Sequence, residues 1–223
     1  MMTKKVFRIF FPVLATLVGL YPIIYFFIHQ KFGLLQSKSD ATLNHVFWNI
    51  GFYIHITLGG LALLIGWTQF KVKLRTNNLM LHRQIGKVYV IAALVSALSG
   101  IYIALFATGG TIASLGFICL GIIWFYTTLM AYIEIKKRRI DKHQKMMIYS
   151  YAACFSAVTL RVYLPLLTIF FHDFIKAYLV VAWLCWIPNI MVAYFLVRQL
   201  QRLRLNCRKQ QSVFAKNELT IVT

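Results

Sequence analysis

Six long apolar runs make up most of this chain and limit what it can fold into. They lie near residues 8–28, 46–70, 85–107, 112–135, 146–170 and 177–197. A helix needs about 20 predominantly apolar residues to cross the hydrocarbon core of a bilayer, and each run reaches that length. Because unpaired backbone groups are not tolerated in lipid, such runs cross as helices. The sequence therefore predicts an all-α, polytopic transmembrane helical bundle with six spans.

The composition agrees with a membrane protein. Hydrophobic residues make up 60% of the chain and charged residues 13%, whereas soluble domains carry about 25% charged residues. The polar segments between the runs are too short to fold on their own. Residues 1–223 are therefore expected to form a single membrane domain. The first run has basic residues before it but no A-x-A-like site after it, so we interpret it as a retained helix rather than a signal peptide.

Positive charge is concentrated on one side of the predicted bundle. All but four of the 24 Lys and Arg residues precede span one, follow span six, or lie between spans two and three or four and five. The exceptions are Lys31, Lys38, Lys176 and Arg161. Short loops rich in Lys and Arg stay preferentially in the cytoplasm. The sequence predicts a multi-pass protein of the inner cell membrane with both termini in the cytoplasm.

This placement also explains the net charge of +19. In a soluble protein that charge would indicate nucleic acid, but here no nucleic-acid-reading motif is present. The basic loops instead suit anionic lipid headgroups at the cytoplasmic face. The four cysteines are isolated and show no C-x-x-C spacing, so neither a disulfide nor a thiolate metal site is indicated.

Small and polar residues recur at helical spacing on three spans. Span two carries Gly51, His55, Gly59, Ala62, Gly66 and Gln69. Span three carries His82, Gly86, Tyr89, Ala93, Ser96, Gly100 and Ala104, and span five carries His143, Met147, Ser150, Cys154, Ala157 and Arg161. Small residues let membrane helices approach, and polar residues face other helices. We expect spans two, three and five to form the interior and spans one and six to face lipid.

Arg161 lies within the apolar run of span five. A charged side chain at mid-membrane costs at least about 2.5–3.5 kcal/mol on insertion scales, so it marks a functional or structural pairing. His55 lies as far from the outer end of span two as Arg161 does from that of span five, which places both at one depth. No acid falls in a span core. The charge of Arg161 must therefore be stabilised by backbone carbonyls, water, an aromatic face or an anionic ligand. An Arg that only binds carbonyls and snorkels outward is the simpler alternative.

His82 and His143 lie at the cytoplasmic mouths of spans three and five, beside cations. Neighbouring positive charge disfavours protonation, and neutral imidazole is the form that binds metal or haem iron. Arg83 and nearby lysines could hold propionates. These residues, with His55 nearer mid-membrane, form a candidate cofactor site, with haem b as the candidate cofactor. Histidine beside basic residues at an interface is also commonplace without any cofactor.

Other catalytic signatures are missing. The sequence has no G-x-S-x-G, H-E-x-x-H, P-loop or dinucleotide motif. Glu134 and Asp141 lie near His82 and His143 along the predicted topology and could complete a zinc site in a membrane hydrolase. No spacing signature supports that alternative.

Four segments resemble a known family. They are HITLGGLALLIGWTQF (55–70), LHRQIGKVYV (81–90), DKHQKMMIYSYAACFSAVTLRVYLP (141–165) and WLCWIPNIMVAYF (183–195). His, Arg and Trp recur in them at fixed offsets. Over about residues 45–197 the chain resembles the bacterial membrane family named domain of unknown function 2306, whose name implies no activity.

The resemblance implies which positions match the family pattern. These are His55, Gln69, His82, Arg83, Tyr89, His143, Arg161, Pro188 and Asn189. Met146, Tyr149 and Tyr194 depart from it, since they stand where Trp, Arg and an acid are usual. Most of the matching positions lie on the polar stripes, and the departures weaken any mechanism that needs those charges.

Three functional hypotheses follow, besides the zinc alternative. The first is a redox or haem-binding protein using His82 and His143, although a second bis-histidine pair would have to recruit His45 or His172. The second is a small-ligand binding or transport protein in which His55 and Arg161 line a cavity, with Arg83, Tyr89 and Gln69 as further ligand-binding candidates. The third treats all the stripes as helix-packing residues.

Overall fold

The structure, a computed structural model, describes residues 2–28 and 32–221, with side chains for residues 10–28, 32–206 and 210. Of the charges behind the orientation prediction, Lys31 lies outside the described residues. Six others lie in segments whose side chains are not described: Lys4, Lys5, Arg8, Arg208, Lys209 and Lys216. The described residues form helices and connecting turns, with no strand among them.

Eleven α-helices follow one another in the described part of the chain. They are α1 (Met2–Leu20), α2 (Ile24–Phe27), α3 (Asp40–Leu43), α4 (Val46–Gly66), α5 (Val72–Asn77), α6 (Leu79–Ala104), α7 (Thr111–Lys136), α8 (Ile140–Cys154), α9 (Ser156–Phe171), α10 (Phe174–Leu184) and α11 (Ile187–Ile221). Short 3₁₀ turns cover Tyr21–Ile23, Gly33–Ser37 and Trp67–Phe70.

Six stretches in the described residues are long and apolar enough to cross a membrane. They are Phe10–Phe27, Val46–Phe70, Leu79–Ala104, Thr111–Lys136, Ile140–Phe171 and Phe174–Asn206. The predicted all-α bundle of six spans is thereby confirmed. Span three begins six residues earlier than predicted because Asn78 caps it, with the Leu81 amide donating to the Asn78 side-chain oxygen at 3.0 Å.

Two ends of the bundle are named for reference. The basic end carries α5 and the turn at residues 137–139. The far end carries the Gly109–Gly110 turn and the loop of residues 33–38, called the far-end loop. Gly109 and Gly110 have φ of 93° and 71°, which other residues rarely adopt. They make a short connection, and α6 packs against α7 as predicted.

Three spans are interrupted within the membrane. Span one breaks at Pro22, which lies in a 3₁₀ turn, and span six breaks just before Pro188, the second residue of α11. Span five breaks at Phe155, between α8 and α9, whereas Pro165 lies inside α9 without ending it. Pro22 and Pro188 therefore coincide with breaks, and Pro165 does not.

The burial of the spans corrects one expectation. Spans two and three each have 39% of their apolar window buried, as expected for interior helices. Span four has 33% buried and span five only 22%, the same share as span one. Span five was expected in the interior, but it is no more buried than span one and less buried than span six, at 28%, so the assignment of span five was wrong. Gly116 and Gly121 of α7 explain the difference between spans four and five, because Gly116 lies against the Ala182 backbone and Gly121 against Ile101.

A hydroxyl network joins the interior helices. The Tyr89 hydroxyl and the Ser150 Oγ are 2.8 Å apart, and the Ser150 and Thr128 oxygens are 2.7 Å apart. The Tyr151 hydroxyl donates to the Leu63 carbonyl at 3.0 Å. All four side chains are buried. Each polar group therefore has a partner, as buried groups require.

The two tyrosines of this network fit against α4 because residue 66 is glycine. A Cβ at Gly66 would lie 2.4 Å from Tyr151 Cε2 and 2.7 Å from Tyr89 Cε2. Neither ring can move away without breaking its hydrogen bond. We expect Gly66→Ala to lower the unfolding free energy by about 1–3 kcal/mol, the usual effect of overpacking, measured by thermal unfolding in mild detergent.

Gly86→Ala is the matched control. The nearest atom to a Cβ there is the Gln69 Oε1 at 3.5 Å, an ordinary contact, and alanine is the better helix former. The thermal unfolding midpoint of Gly86→Ala should stay unchanged or rise. A similar loss of stability in both variants would contradict the packing described for Gly66.

Candidate functional site

A cavity of about 220 Å³ lies inside the bundle, toward the far end. Side chains of α4, α6, α7, α9 and the far-end loop line it, and most of them are apolar. Pockets that hold drug-sized ligands measure roughly 300–1,000 Å³, so this one suits a smaller molecule. His55 and Arg161 both line it. The structure thus brings together the two residues that the sequence placed at one depth.

His55 is held in a fixed orientation by α6. Its Nδ1 lies 2.8 Å from the Ser96 carbonyl oxygen, and the Ser96 hydroxyl donates to the His55 carbonyl at 2.9 Å. Because a carbonyl only accepts, this geometry assigns the proton to Nδ1 and leaves a lone pair on Nε2. Nε2 has no hydrogen-bond partner among the described residues. A Cβ at Gly100 would lie 2.7 Å from Nδ1, so Gly100 provides room for the ring.

Arg161 is served by two of the partners that the sequence suggested. Its Nη1 donates to the Ala157 carbonyl at 2.9 Å, one turn earlier in α9. Its guanidinium carbon lies 4.7 Å from the centre of the Tyr21 ring, which is cation–π geometry. The buried Nε has no hydrogen-bond partner within the described part of the chain. Arg161 therefore keeps donor capacity that the described residues do not use.

The break in span five sets the position of Arg161. Asn189, at the start of α11, donates through Nδ2 to the Thr159 Oγ1 at 2.8 Å and to the Cys185 carbonyl at 3.1 Å. The same group reaches the Ala152 carbonyl, just before the break, at 3.4 Å. This side chain links the interrupted parts of spans five and six. Asn189 therefore fixes the first turn of α9, from which Arg161 extends.

A second cation lines the cavity from the far-end loop. Lys38 donates through Nζ to the Phe106 carbonyl, and burial lowers the pKa of Lys38 from 10.5 to about 8. Next to it, the Ser37 and Thr108 hydroxyl oxygens are 3.0 Å apart. These bonds fasten the far-end loop to the end of span three. The loop thereby lines the cavity at the far end.

The charged side chains among the described cavity lining are all cationic. Lys38 and Arg161 are cationic, and no Asp or Glu appears among its described lining residues. The Trp48 indole nitrogen, from another lining residue, is buried without a hydrogen-bond partner in the described structure. Unused donors and uncompensated positive charge in a low-dielectric site favour an anionic group.

His82 and His143 lie apart from the cavity, at the basic end. The His143 Nδ1 lies 2.8 Å from the Ala131 carbonyl oxygen, which leaves Nε2 as the acceptor. The His82 Nδ1 is buried and has no partner among the described groups. The charges of Arg75, Arg83 and His143 all act on His82. The structure therefore brings these two histidines near each other but not to His55.

The remaining predicted site residues are dispersed. Tyr89 belongs to the hydroxyl network and Gln69 is buried near Thr68, with a long contact of 3.5 Å. Arg83 is exposed at the basic end. None of the three lines the cavity in the described structure. Among the described residues, no group of three or more His, Cys, Asp or Glu could hold a metal ion, so the zinc alternative has no ligand set there.

Trp48 and Lys38 are among the cavity residues that sequence patterns did not indicate. Trp48 lies seven residues before His55, which is about two helical turns, so helical spacing could have placed it on the same face. Lys38 lies in a loop without any periodic pattern. Only the tertiary structure shows that it reaches the cavity.

Comparison with known proteins identifies the family. A family model described as predicted membrane protein (DUF2306) matches residues 52–197. The match includes spans three to five completely, most of span two, and the positions from His55 to Asn189 that the sequence resemblance indicated. Neither the curated proteins nor the solved structures contain a match to the chain. The chain belongs to the DUF2306 family of membrane proteins.

Proposed function

We propose that this protein binds a small organic anion with an apolar body in the cavity between spans two, three, four and five. The observation that carries the proposal is that Arg161 lines an apolar cavity with an unpartnered Nε and without any acid among the described lining residues. An uncompensated charge in such a site is costly. An anionic group would pair with Arg161, while the apolar walls hold the rest of the ligand.

The chemistry of the walls favours a carboxylate. Arg161 presents parallel N–H donors that match a carboxylate bidentately, and Trp48 offers one further donor. The His55 Nε2 is an acceptor, so it suits a hydroxyl or a protonated carboxyl group of the same ligand. Short aliphatic or aromatic carboxylic acids combine these features at the size of the cavity.

Arg161→Gln tests the proposal with hexanoate as the probe. We expect titration calorimetry of the full chain in mild detergent to show hexanoate binding, and Arg161→Gln to weaken it at least about tenfold, since charged hydrogen bonds contribute about 1.5–3 kcal/mol. Hexanol and hexylamine should bind far more weakly than hexanoate to the wild type.

Arg202→Gln is the matched control, because Arg202 is exposed on α11, outside the cavity. It should bind hexanoate like the wild type. Thermal unfolding shows whether each variant is folded. Equal affinity of folded Arg161→Gln and wild type, or equal affinity for hexanoate and hexanol, would contradict the proposal.

Lys38 should make hexanoate binding depend on pH. Below pH 8 the Lys38 ammonium is charged and attracts the anion, and above its pKa of about 8 it becomes neutral. A bound anion raises that pKa, so affinity should decline as pH rises from about 8. The decline should be absent in Lys38→Met. A pH profile identical in the two proteins would show that Lys38 plays no part in binding.

A second candidate function uses His82 and His143 as haem ligands. The observation in its favour is that each presents an imidazole nitrogen without a partner among the described residues, on neighbouring helices. If haem binds here, His82 and His143 would hold its iron and Arg83 would contact a propionate. Expression with added haem should then give a Soret band in the purified protein. His82→Ala and His143→Ala should remove the band, whereas the control His45→Ala should retain it. Wild-type protein without a Soret band would contradict haem binding.

We also propose that the basic end faces the cytoplasm of the cell membrane. The support is the charge of α5 and the turn at residues 137–139, which suits anionic headgroups. A cysteine at position 138 should resist a membrane-impermeant reagent in intact cells, and one at position 110 should react. The reverse pattern would overturn this orientation.

A further inference from the structure

A second pocket lies at the basic end and has a different character. It is an open groove of about 540 Å³ between α7, α8 and α11. Met130, Met146, Val197 and Leu200 provide apolar walls, while charged side chains cluster where α7 ends and α8 begins. A groove with apolar walls inside the membrane and charges at its surface has the layout of a lipid: chains below and a headgroup above.

Glu134 is the unusual residue of this groove. It is only 6% exposed, and neither carboxylate oxygen accepts a hydrogen bond from the described residues. Its nearest cation, the Arg139 Nη1, is 3.8 Å away on a side chain that is 54% exposed. The Oε2 is buried without a hydrogen-bond partner in this part of the structure. A cationic N–H donor would satisfy this carboxylate with a charge-assisted hydrogen bond.

The groove also offers free positive charge. Arg204 is engaged, because it pairs with Asp141 at 2.6 Å and donates to Gln144. Lys142 and Lys145 line the groove, and neither makes an ion pair or hydrogen bond with the described residues. Among the described residues, the groove therefore presents a buried acid whose only cation, Arg139, is 3.8 Å away and donates no hydrogen bond to it, beside two ammonium groups without an acceptor.

We propose that this groove binds a phospholipid whose headgroup carries both a phosphate and a primary ammonium, as in phosphatidylethanolamine. The phosphate binds Lys142 and Lys145, the ammonium donates to Glu134, and the acyl chains lie along the apolar wall. A phosphatidylglycerol headgroup has no cation for Glu134. A phosphatidylcholine headgroup has a cation, but its quaternary ammonium carries no N–H to donate.

Competitive retention measures this selectivity. The full chain in mild detergent is incubated with equimolar dioleoyl phosphatidylethanolamine, phosphatidylcholine and phosphatidylglycerol, and bound lipid is counted by native mass spectrometry. We expect the ethanolamine lipid to be retained about tenfold over each of the others, the effect of one charge-assisted hydrogen bond. The mono- and dimethylated headgroups keep an N–H and should be retained by the wild type, and the loss should come at the third methylation, which removes the last N–H.

Two variants separate the parts of the site. Glu134→Gln keeps the shape of the side chain and should bring the ethanolamine and choline lipids to equal retention. Lys145→Met should reduce retention of all three lipids. Asp173→Asn is the control, because Asp173 precedes α10, outside the groove, and this variant should leave the retention of each lipid unchanged. Equal retention of the three lipids by the wild type, preference for phosphatidylglycerol, or an unchanged ethanolamine preference in Glu134→Gln would overturn the proposal.

Discussion

The guanidinium of Arg161 lies within an apolar bundle, and the proposed binding of an anion depends on its charge. In a low-dielectric interior an unpaired cation is strongly disfavoured. The Ala157 carbonyl and the Tyr21 ring meet part of its need, and both are neutral. None of the described residues that line the cavity carries a negative charge that could neutralise the guanidinium. A membrane protein that keeps a cation in this state gains affinity for an anion of the right size.

The surrounding helices hold this arrangement in place through small residues and interrupted spans. Gly100 makes room for the His55 ring, and the Ser96 carbonyl sets which imidazole nitrogen carries the proton. The break at Phe155 separates α8, which anchors the hydroxyl network, from α9, which carries Arg161. Asn189 bonds to both sides of that break. The network provides rigidity at the basic half, and the cavity occupies the other half.

Hydropathy was enough to predict the six spans, because the bilayer imposes a length on every crossing helix. The common depth of His55 and Arg161 followed from counting residues along two antiparallel spans. Three features needed the tertiary structure. Lys38 reaches the cavity from a loop that has no repeating pattern, span five breaks at Phe155 although proline lies at 165, and span four is more buried than span five. The burial of Glu134 likewise depends on how the helices pack, which sequence spacing does not record.

The most direct test of the central claim is to locate the bound anion. A hexanoate analogue with a photoreactive diazirine at its apolar end, cross-linked to the full chain and mapped by mass spectrometry, reports which residues surround it. We expect labelling of α4 near His55 and Gly59 and of α6 near Ala97, with loss of this labelling in excess hexanoate and in Arg161→Gln. Labelling confined to the lipid-facing surface, or labelling that Arg161→Gln leaves unchanged, would contradict it.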